Sequence, residues 1–199
     1  MTKKIKEIVI PREKAVFWLD KNGCWHNENG KFEHKKIIKY FHSCIKRDRH
    51  GYYLSQDNEH YTEKVYFPYE DQALFVFDVI LREDVTLVLN TGRQVRLKPR
   101  KLFTDDDCLY MQLDGEIIKF AEQGLFAIAQ LIEETDNRLY IRVNHRRYRI
   151  PAKDESADRY DCNRNAGEPP GETGARLDAW RAEVVLNLGA ASHEVLRLF

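Results

Sequence analysis

Residues 121–150 read AEQGLFAIAQLIEETDNRLYIRVNHRRYRI, and the fold class turns on this stretch. Leu125, Ile128, Leu131 and Ile132 recur at the helical period, which predicts a helix over 121–135. Asp136-Asn137 stops it, and Leu139-Tyr140-Ile141 opens a hairpin. The same plan stands 87 residues upstream. A helix is predicted over 33–48, with Ile37, Ile38, Phe41, Cys44 and Ile45 on one face. Arg49-His50-Gly51 ends it, and Tyr52-Tyr53-Leu54 starts a hairpin returning through Tyr61 and Val65. In this correspondence Tyr53 matches Tyr140, Leu54 matches Ile141, and Tyr61 matches Tyr148.

Outward from these repeats the signals are strands and turns. Phe17-Trp18-Leu19, the turn Asp20-Lys21-Asn22-Gly23 and Cys24-Trp25-His26 read as a hairpin, because Gly accepts the positive φ of a tight turn. Leu109–Leu113 and Asp114-Gly115 parallel it in the second half. Between the repeats, 73–81, 85–89 and 94–97 read as strands, with Leu74, Val76 and Asp78 alternating and Asn90-Thr91-Gly92 as a turn. Many short strands with two helices give the class α+β: a duplicated unit of antiparallel β-hairpins around one helix each. The expected organisation is a first repeat unit at 1–72 and a β-rich middle plus second repeat unit at 73–153. A flexible linker at 154–174 and an appended segment at 175–199 follow. Leu177, Trp180, Val184 and Leu188 in that last segment are spaced for a short amphipathic helix.

Charge separates the same regions. The chain has 199 residues with 32 basic and 32 acidic side chains. Residues 1–153 hold 15 Lys and 12 Arg against 23 acids, whereas 154–199 hold no Lys, 5 Arg and 9 acids. Overall neutrality is therefore an average over a basic core and an acidic tail. Hydrophobic residues at 43% exclude wholesale disorder, and no apolar run has the length of a membrane span. Met1–Lys6 leads into no signal-peptide apolar stretch, and four scattered cysteines make no secreted framework, so a reducing cytoplasm is expected.

The strongest chemical feature is the 138–149 hairpin. Leu139, Ile141 and Val143 share one face, while Tyr140 and Arg142 point to the other. On the return strand Tyr148 and Ile150 are expected inward, with Arg147 and Arg149 outward. A face with Arg142, Arg147, Arg149 and Tyr140 suits phosphates, since guanidinium offers planar bidentate donors and tyrosine a stacking surface. Arg96 and Lys98 are expected to extend it on a strand over 94–101. The plainer reading is a charged sheet edge that discourages pairing with other chains. A duplex nucleic-acid ligand is the less favoured version, and it predicts log affinity falling by roughly 0.9 per phosphate for each unit of log salt.

Other clusters read as structural. Cys24, His26, His34, His42 and Cys44 have ligand chemistry for zinc but the wrong spacing, so no metal is expected, Cys44 is assigned to the core, and the histidines to the surface. Asp105-Asp106-Asp107 lacks the pattern of a calcium loop, and Glu70-Asp71 reads as a turn-forming pair rather than a general acid or base. No Walker loop, dinucleotide fingerprint or G-x-S-x-G is present, so no catalytic residue and no cofactor are assigned. Most of the dense aromatics between Trp18 and Tyr69 are assigned to the core.

The sequence resembles the bacterial domain-of-unknown-function 1285 family over about residues 13–150. The resemblance lies in Trp18-Leu19-Asp20-Lys21-Asn22-Gly23-Cys24-Trp25, Phe41, Asp48-Arg49-His50-Gly51-Tyr52-Tyr53-Leu54, Tyr69-Glu70-Asp71-Gln72-Ala73-Leu74-Phe75 and Leu89-Asn90-Thr91. It implies a duplicated α+β core whose C-terminal half is pleckstrin-homology-like, with ligand binding in signalling at the interface between halves. The sequence departs from the family at Leu113-Asp114-Gly115, where an arginine is expected before the glycine. The functional expectation is a non-enzymatic ligand-binding or regulatory protein recognising an anionic, nucleotide-like ligand. The alternatives are a protein–protein interaction module and an enzyme with a cleft assembled from distant residues.

Overall fold

The structure, a computed structural model, describes residues 6–58 and 60–157. The chain starts with β1 (Lys6–Ile10), a 3-10 turn at Arg12–Lys14, and the strands β2 (Phe17–Leu19), β3 (Trp25–Asn27) and β4 (Gly30–Lys31). Helix α1 (Lys35–Ser43) leads into β5 (Ile45–Asp48), β6 (Gly51–Asp57) and β7 (Tyr61–Tyr66). The middle comprises β8 (Phe75–Leu81), β9 (Val85–Leu89), β10 (Gln94–Arg96), a 3-10 turn at Pro99–Lys101, β11 (Leu102–Asp105), β12 (Cys108–Leu113) and β13 (Glu116–Phe120). Helix α2 (Glu122–Ala129) is followed by β14 (Ile132–Thr135), β15 (Arg138–Val143), β16 (Arg146–Ile150) and α3 (Lys153–Ala157). The class is α+β, with sheets dominating. Among the described residues no helix is long and apolar enough to cross a membrane.

These elements form two compact units. Among the described residues the first holds 6–97 and 113–125, and the second holds 98–112 and 126–157. The expected linker boundary at 153/154 falls at α3, and the remaining expectations for 158–199 lie outside the described residues.

In the first unit, β5, β6 and β7 form an antiparallel meander, and β1 adds to β7 in parallel. The antiparallel strands β8, β9 and β10 form a second sheet, to which β13 adds in parallel beside β8. The small meander β2–β3–β4 turns where the sequence marks it. Asp20 Oδ1 accepts the Asn22 and Cys24 amides at 2.9 and 2.8 Å. Gly23 has φ +79°, and a Cβ there would meet the Phe75 ring at 3.0 Å, so both backbone and space demand glycine. Leu19, Trp25, Leu54, Phe67, Phe75, Leu87 and Ile118 fill the core. Trp25 packs edge-on against Phe17, Phe41 and Phe67.

The two helix-plus-hairpin segments share one hydrogen-bond plan. Ile45 pairs with Leu54 and Lys46 with Tyr53; 87 residues later Ile132 pairs with Ile141 and Glu133 with Tyr140. The Ser55 amide donates to the Cys44 carbonyl at 2.9 Å, and the Arg142 amide to the Leu131 carbonyl at 2.8 Å. The expected match of Tyr61 with Tyr148 is corrected by this register. Leu54 pairs with Val65 and Ile141 with Tyr148, so Tyr148 stands where Val65 stands. The cause is the tight Asn144-His145 turn, both residues at positive φ, which replaces the longer connection after Asp57.

Both helices are shorter than their periodicity predicts. At Cys44 the carbonyl accepts an amide from β6 instead of one from the next helical turn, and the chain leaves as β5. Residues 45–48 and 132–135 are therefore strand. The apolar stripe is corrected too: Ile37 is 44% exposed while His42 is 3% exposed. Of the early aromatics, Trp25, Tyr52 and Phe67 are buried, most others are half-buried, and Tyr40 is exposed. The expected alternation across Leu74, Val76 and Asp78 is broken by a bulge between Val76 and Asp78, and Phe75 and Val76 are both fully buried.

In the second unit, β14–β15–β16 is an antiparallel meander and β11–β12 a hairpin. The Thr104 amide donates to the Pro151 carbonyl at 2.9 Å. Leu102, Met111, Ile128 and Ile141 are its fully buried side chains.

Candidate anion-binding faces

The β15–β16 register pairs Tyr140 with Arg149 and Arg142 with Arg147, so these four side chains share one face. On the other face Ile141 and Ile150 are buried. Glu133, directly across from Tyr140 on β14, stands on the arginine face. It accepts Arg142 Nε at 2.5 Å and Nη2 at 3.1 Å, and lies 3.6 Å from Arg147 Nε. The hydrogen bond from Arg142 holds the Glu133 carboxyl below its ordinary pKa. Arg147 also donates to the Thr135 hydroxyl, and its guanidinium stacks 3.8 Å from the Tyr140 ring centroid. Arg149 pairs with Glu155 at 2.6 Å. The face is thus arginine-rich and partly neutralised from within, with the tyrosine surface covered by Arg147.

The strand expected over 94–101 ends at Arg96, so Arg96 and Lys98 do not share a strand face. Arg96 pairs with Asp84 at 2.5 Å within the first unit. The half-buried Lys98 opens the second unit, where its amide donates to Met111 Sδ at 3.3 Å.

A second arginine group, which the sequence did not reveal, lies in the first unit. Arg47 on β5 donates to the Gly115 carbonyl at 2.8 Å and sits 5.5 Å from the Tyr52 ring centroid. The Tyr52 hydroxyl donates to Glu116 Oε1 at 3.2 Å, and Arg93 Nη2 reaches Glu116 Oε2 at 2.6 Å. Burial, and secondarily Glu116, pushes the Tyr52 hydroxyl well above the ordinary phenol range, so it stays a donor. Tyr69 packs edge-on against Tyr52 at 5.8 Å, and Arg12 lies 5.6 Å from the Tyr69 centroid. Arg12, Arg47 and Arg93 come from three distant segments, so no local pattern announces them.

A protein of the domain-of-unknown-function 1285 family from Silicibacter pomeroyi DSS-3 aligns with a TM-score of 0.51 at 13% identity, over 77% of this chain and 87% of that one. The chain has the domain-of-unknown-function 1285 fold. A family protein from Shewanella baltica OS155 aligns over 55% of this chain and 87% of that one, with a TM-score of 0.40 and 19% identity. No protein-family model matches the chain, and no curated protein does. At 13% identity the likeness to the Silicibacter pomeroyi protein is one of fold, and fold alone does not carry activity.

Within this domain-of-unknown-function 1285 fold, further polar groups bind one another and the backbone. Asp71 Oδ2 accepts the buried Lys119 ammonium at 2.7 Å, and Lys119 also donates to the Lys21 carbonyl at 2.9 Å. Glu70 accepts the Lys21 amide at 3.1 Å. The acidic pair stands in the bend before β8, and in addition it ties that bend to the remote β2–β3 turn, a role its reading as a local turn pair did not include. Asp105 pairs with Lys153 at 2.5 Å, and Asp106 takes φ +48° in the β11–β12 turn. His26 meets Asp20 at 2.9 Å. Among the described residues no group of three or more His, Cys, Asp or Glu is gathered for a metal.

His42 corrects the surface assignment most clearly. Asn90 Oδ1 accepts the Phe75 amide at 3.2 Å, which turns its Nδ2 toward the Ala73 carbonyl and His42 Nδ1, both at 3.1 Å. Nδ1 therefore accepts, and the imidazole is neutral with its proton on Nε2. Burial lowers the His42 pKa from 6.5 to about 4. The unfolded chain binds this proton first, so stability contributed by the neutral ring is complete above the unfolded pKa. It is lost as pH falls through the window between 6.5 and about 4. Urea unfolding at pH 7 and pH 4 is expected to show a loss of about 3 kcal/mol from this group alone. The readout is the difference in pH slope between wild type and His42→Gln; equal slopes refute the assignment.

Proposed function

We propose that the protein is a non-enzymatic ligand-binding or regulatory protein for an anionic, phosphate-bearing ligand of nucleotide type. In this reading Arg142, Arg147 and Arg149 contact the phosphates. The single observation that carries it is the register placing these three and Tyr140 on one face of β15–β16. The internal acids set the terms. A phosphate must take Arg142 from Glu133 and Arg149 from Glu155. Binding then exchanges one charge-assisted pair for another, giving moderate affinity and strong salt dependence.

A thermal-shift and titration screen with nucleotides, pyrophosphate and inorganic phosphate tests this. Stabilisation by nucleotides beyond that given by pyrophosphate is expected. Arg142→Ala should weaken binding roughly tenfold through loss of a charge-assisted contact. Glu133→Gln should strengthen it roughly 2–5-fold, the worth of one exposed ion pair. Indifference to every anion would favour an interaction module, for which the exposed Ile37 and Tyr40 on α1 are the nearest apolar candidates. Turnover would favour an enzyme.

The shared plan of the two helix-plus-hairpin segments further supports reading the chain as a duplication. Matching pairs and matching helix-exit hydrogen bonds at one offset are a stricter coincidence than the few shared residue types.

A further inference from the structure

We infer that Arg12, Arg47 and Arg93 of the first unit form a binding site for a phosphate or pyrophosphate group, separate from the β15–β16 face. The three guanidinium groups arrive from the 3-10 turn after β1, from β5 and from the turn between β9 and β10. Contacts link them in one series: Arg12 on Tyr69, Tyr69 on Tyr52, Tyr52 under Arg47 and bonded to Glu116, Glu116 bonded to Arg93.

The charge balance points to an anion. Glu116 is the carboxylate in this series, and its two oxygens already serve Tyr52 and Arg93. Arg47 spends its hydrogen bond on a neutral carbonyl, that of Gly115. Arg12 rests against a ring and a backbone. Among the described residues neither Arg12 nor Arg47 forms an ion pair with a carboxylate. Asp48, the neighbour of Arg47, alternates to the opposite face, where Lys64 and the Tyr66 hydroxyl occupy it. This differs from the β15–β16 face, where each of the three arginines has a carboxylate within 4 Å.

The backbone supports this placement of Arg12. Gly51 has φ +123°, and a Cβ there would stand 3.2 Å from Arg12 Nη2. Glycine thus satisfies an unusual backbone conformation and lets the guanidinium lie directly against the β5–β6 turn.

The ligand class follows from what the rings are doing. Arg12 lies over Tyr69, Arg47 lies over Tyr52, and the two rings meet edge to face. Guanidinium held over an aromatic face keeps its N–H edge outward for bidentate bonding to phosphate oxygens. The same arrangement leaves little ring surface for stacking a base. The site therefore recognises the phosphate or pyrophosphate moiety and is indifferent to the group it is esterified to.

Isothermal titration of the full chain with inorganic pyrophosphate at low salt tests the site. Wild-type protein is expected to bind. Arg12→Ala and Arg47→Ala should each weaken binding at least tenfold, while replacement of an exposed lysine outside both sites, Lys36→Ala on α1, leaves it within twofold. Adenosine should not bind, and ADP should bind within about threefold of pyrophosphate. Arg12 is exposed, so Arg12→Ala retains the fold, which an unchanged urea midpoint verifies. Absence of pyrophosphate binding, or wild-type affinity in Arg12→Ala and Arg47→Ala, overturns the site. If Arg142→Ala alone abolishes binding, the ligand belongs to β15–β16 and the site in the first unit is refuted, while the proposed function stands.

Discussion

Replacing Gly124 with alanine is expected to destabilise the protein by about 3 kcal/mol, within the upper range for forcing extra volume into a packed interior. Gly124 lies in α2, where helix propensity alone favours alanine by about 1 kcal/mol. Space reverses that sign. A Cβ would stand 2.3 Å from the Val76 carbonyl oxygen, 2.9 Å from its carbon and 3.1 Å from Cγ1. The obstacle is backbone and cannot swing aside as a side chain would. Val76 is fully buried on β8, paired with Leu89 on one side and Phe120 on the other. Its carbonyl also accepts the Ala121 amide at 3.1 Å, at the start of α2. Relief requires lifting the helix from the sheet and losing that bond. Urea unfolding of the full chain is the measurement; a midpoint equal to or above wild type would mean that the helix is not seated so closely.

Asn90→Ala should be comparably damaging, by about 3 kcal/mol, for an electrostatic reason. Asn90 is 8% exposed, and its amide serves the Phe75 amide, the Ala73 carbonyl and His42 Nδ1. Truncation leaves these groups buried without their partner, at about 1–3 kcal/mol for each group that cannot find a substitute. The backbone bond from the Asn90 amide to the Phe75 carbonyl, at 2.8 Å, would survive and hold the turn in outline. Loss of stability with α1 still helical is therefore expected, seen as a lower urea midpoint and earlier hydrogen exchange at Phe75. An unchanged midpoint would show that the amide is dispensable.

What could be read from the sequence was local. The Asp20–Gly23 turn, the strand pattern and the facing of Arg142, Arg147 and Arg149 follow from turn chemistry and a period of two, which short segments carry in full. The helix ends could not be read. Ile45 and Ile132 fit the helical stripe, and they also face inward on β5 and β14, so one apolar pattern satisfied both conformations. Residues whose role depends on remote partners were opaque. His42 gave no sign that Asn90 would meet it, and Arg12, Arg47 and Arg93 share no periodicity. Glu133, lying in the stretch assigned to helix, was not recognised as the acid that occupies Arg142.

The interleaving of the two units bears on exchange and synthesis. The chain leaves the first unit at 97, returns at 113 and leaves again at 125. No single cut yields both units whole: a fragment ending at 97 lacks β13, the parallel neighbour of β8, and one starting at 126 lacks the β11–β12 hairpin. On the ribosome that hairpin emerges before β16, whose sequel Pro151 binds Thr104. At about 5–20 residues per second it waits several seconds for that partner. Neither unit can therefore be exchanged or expressed whole by cutting the chain at one point.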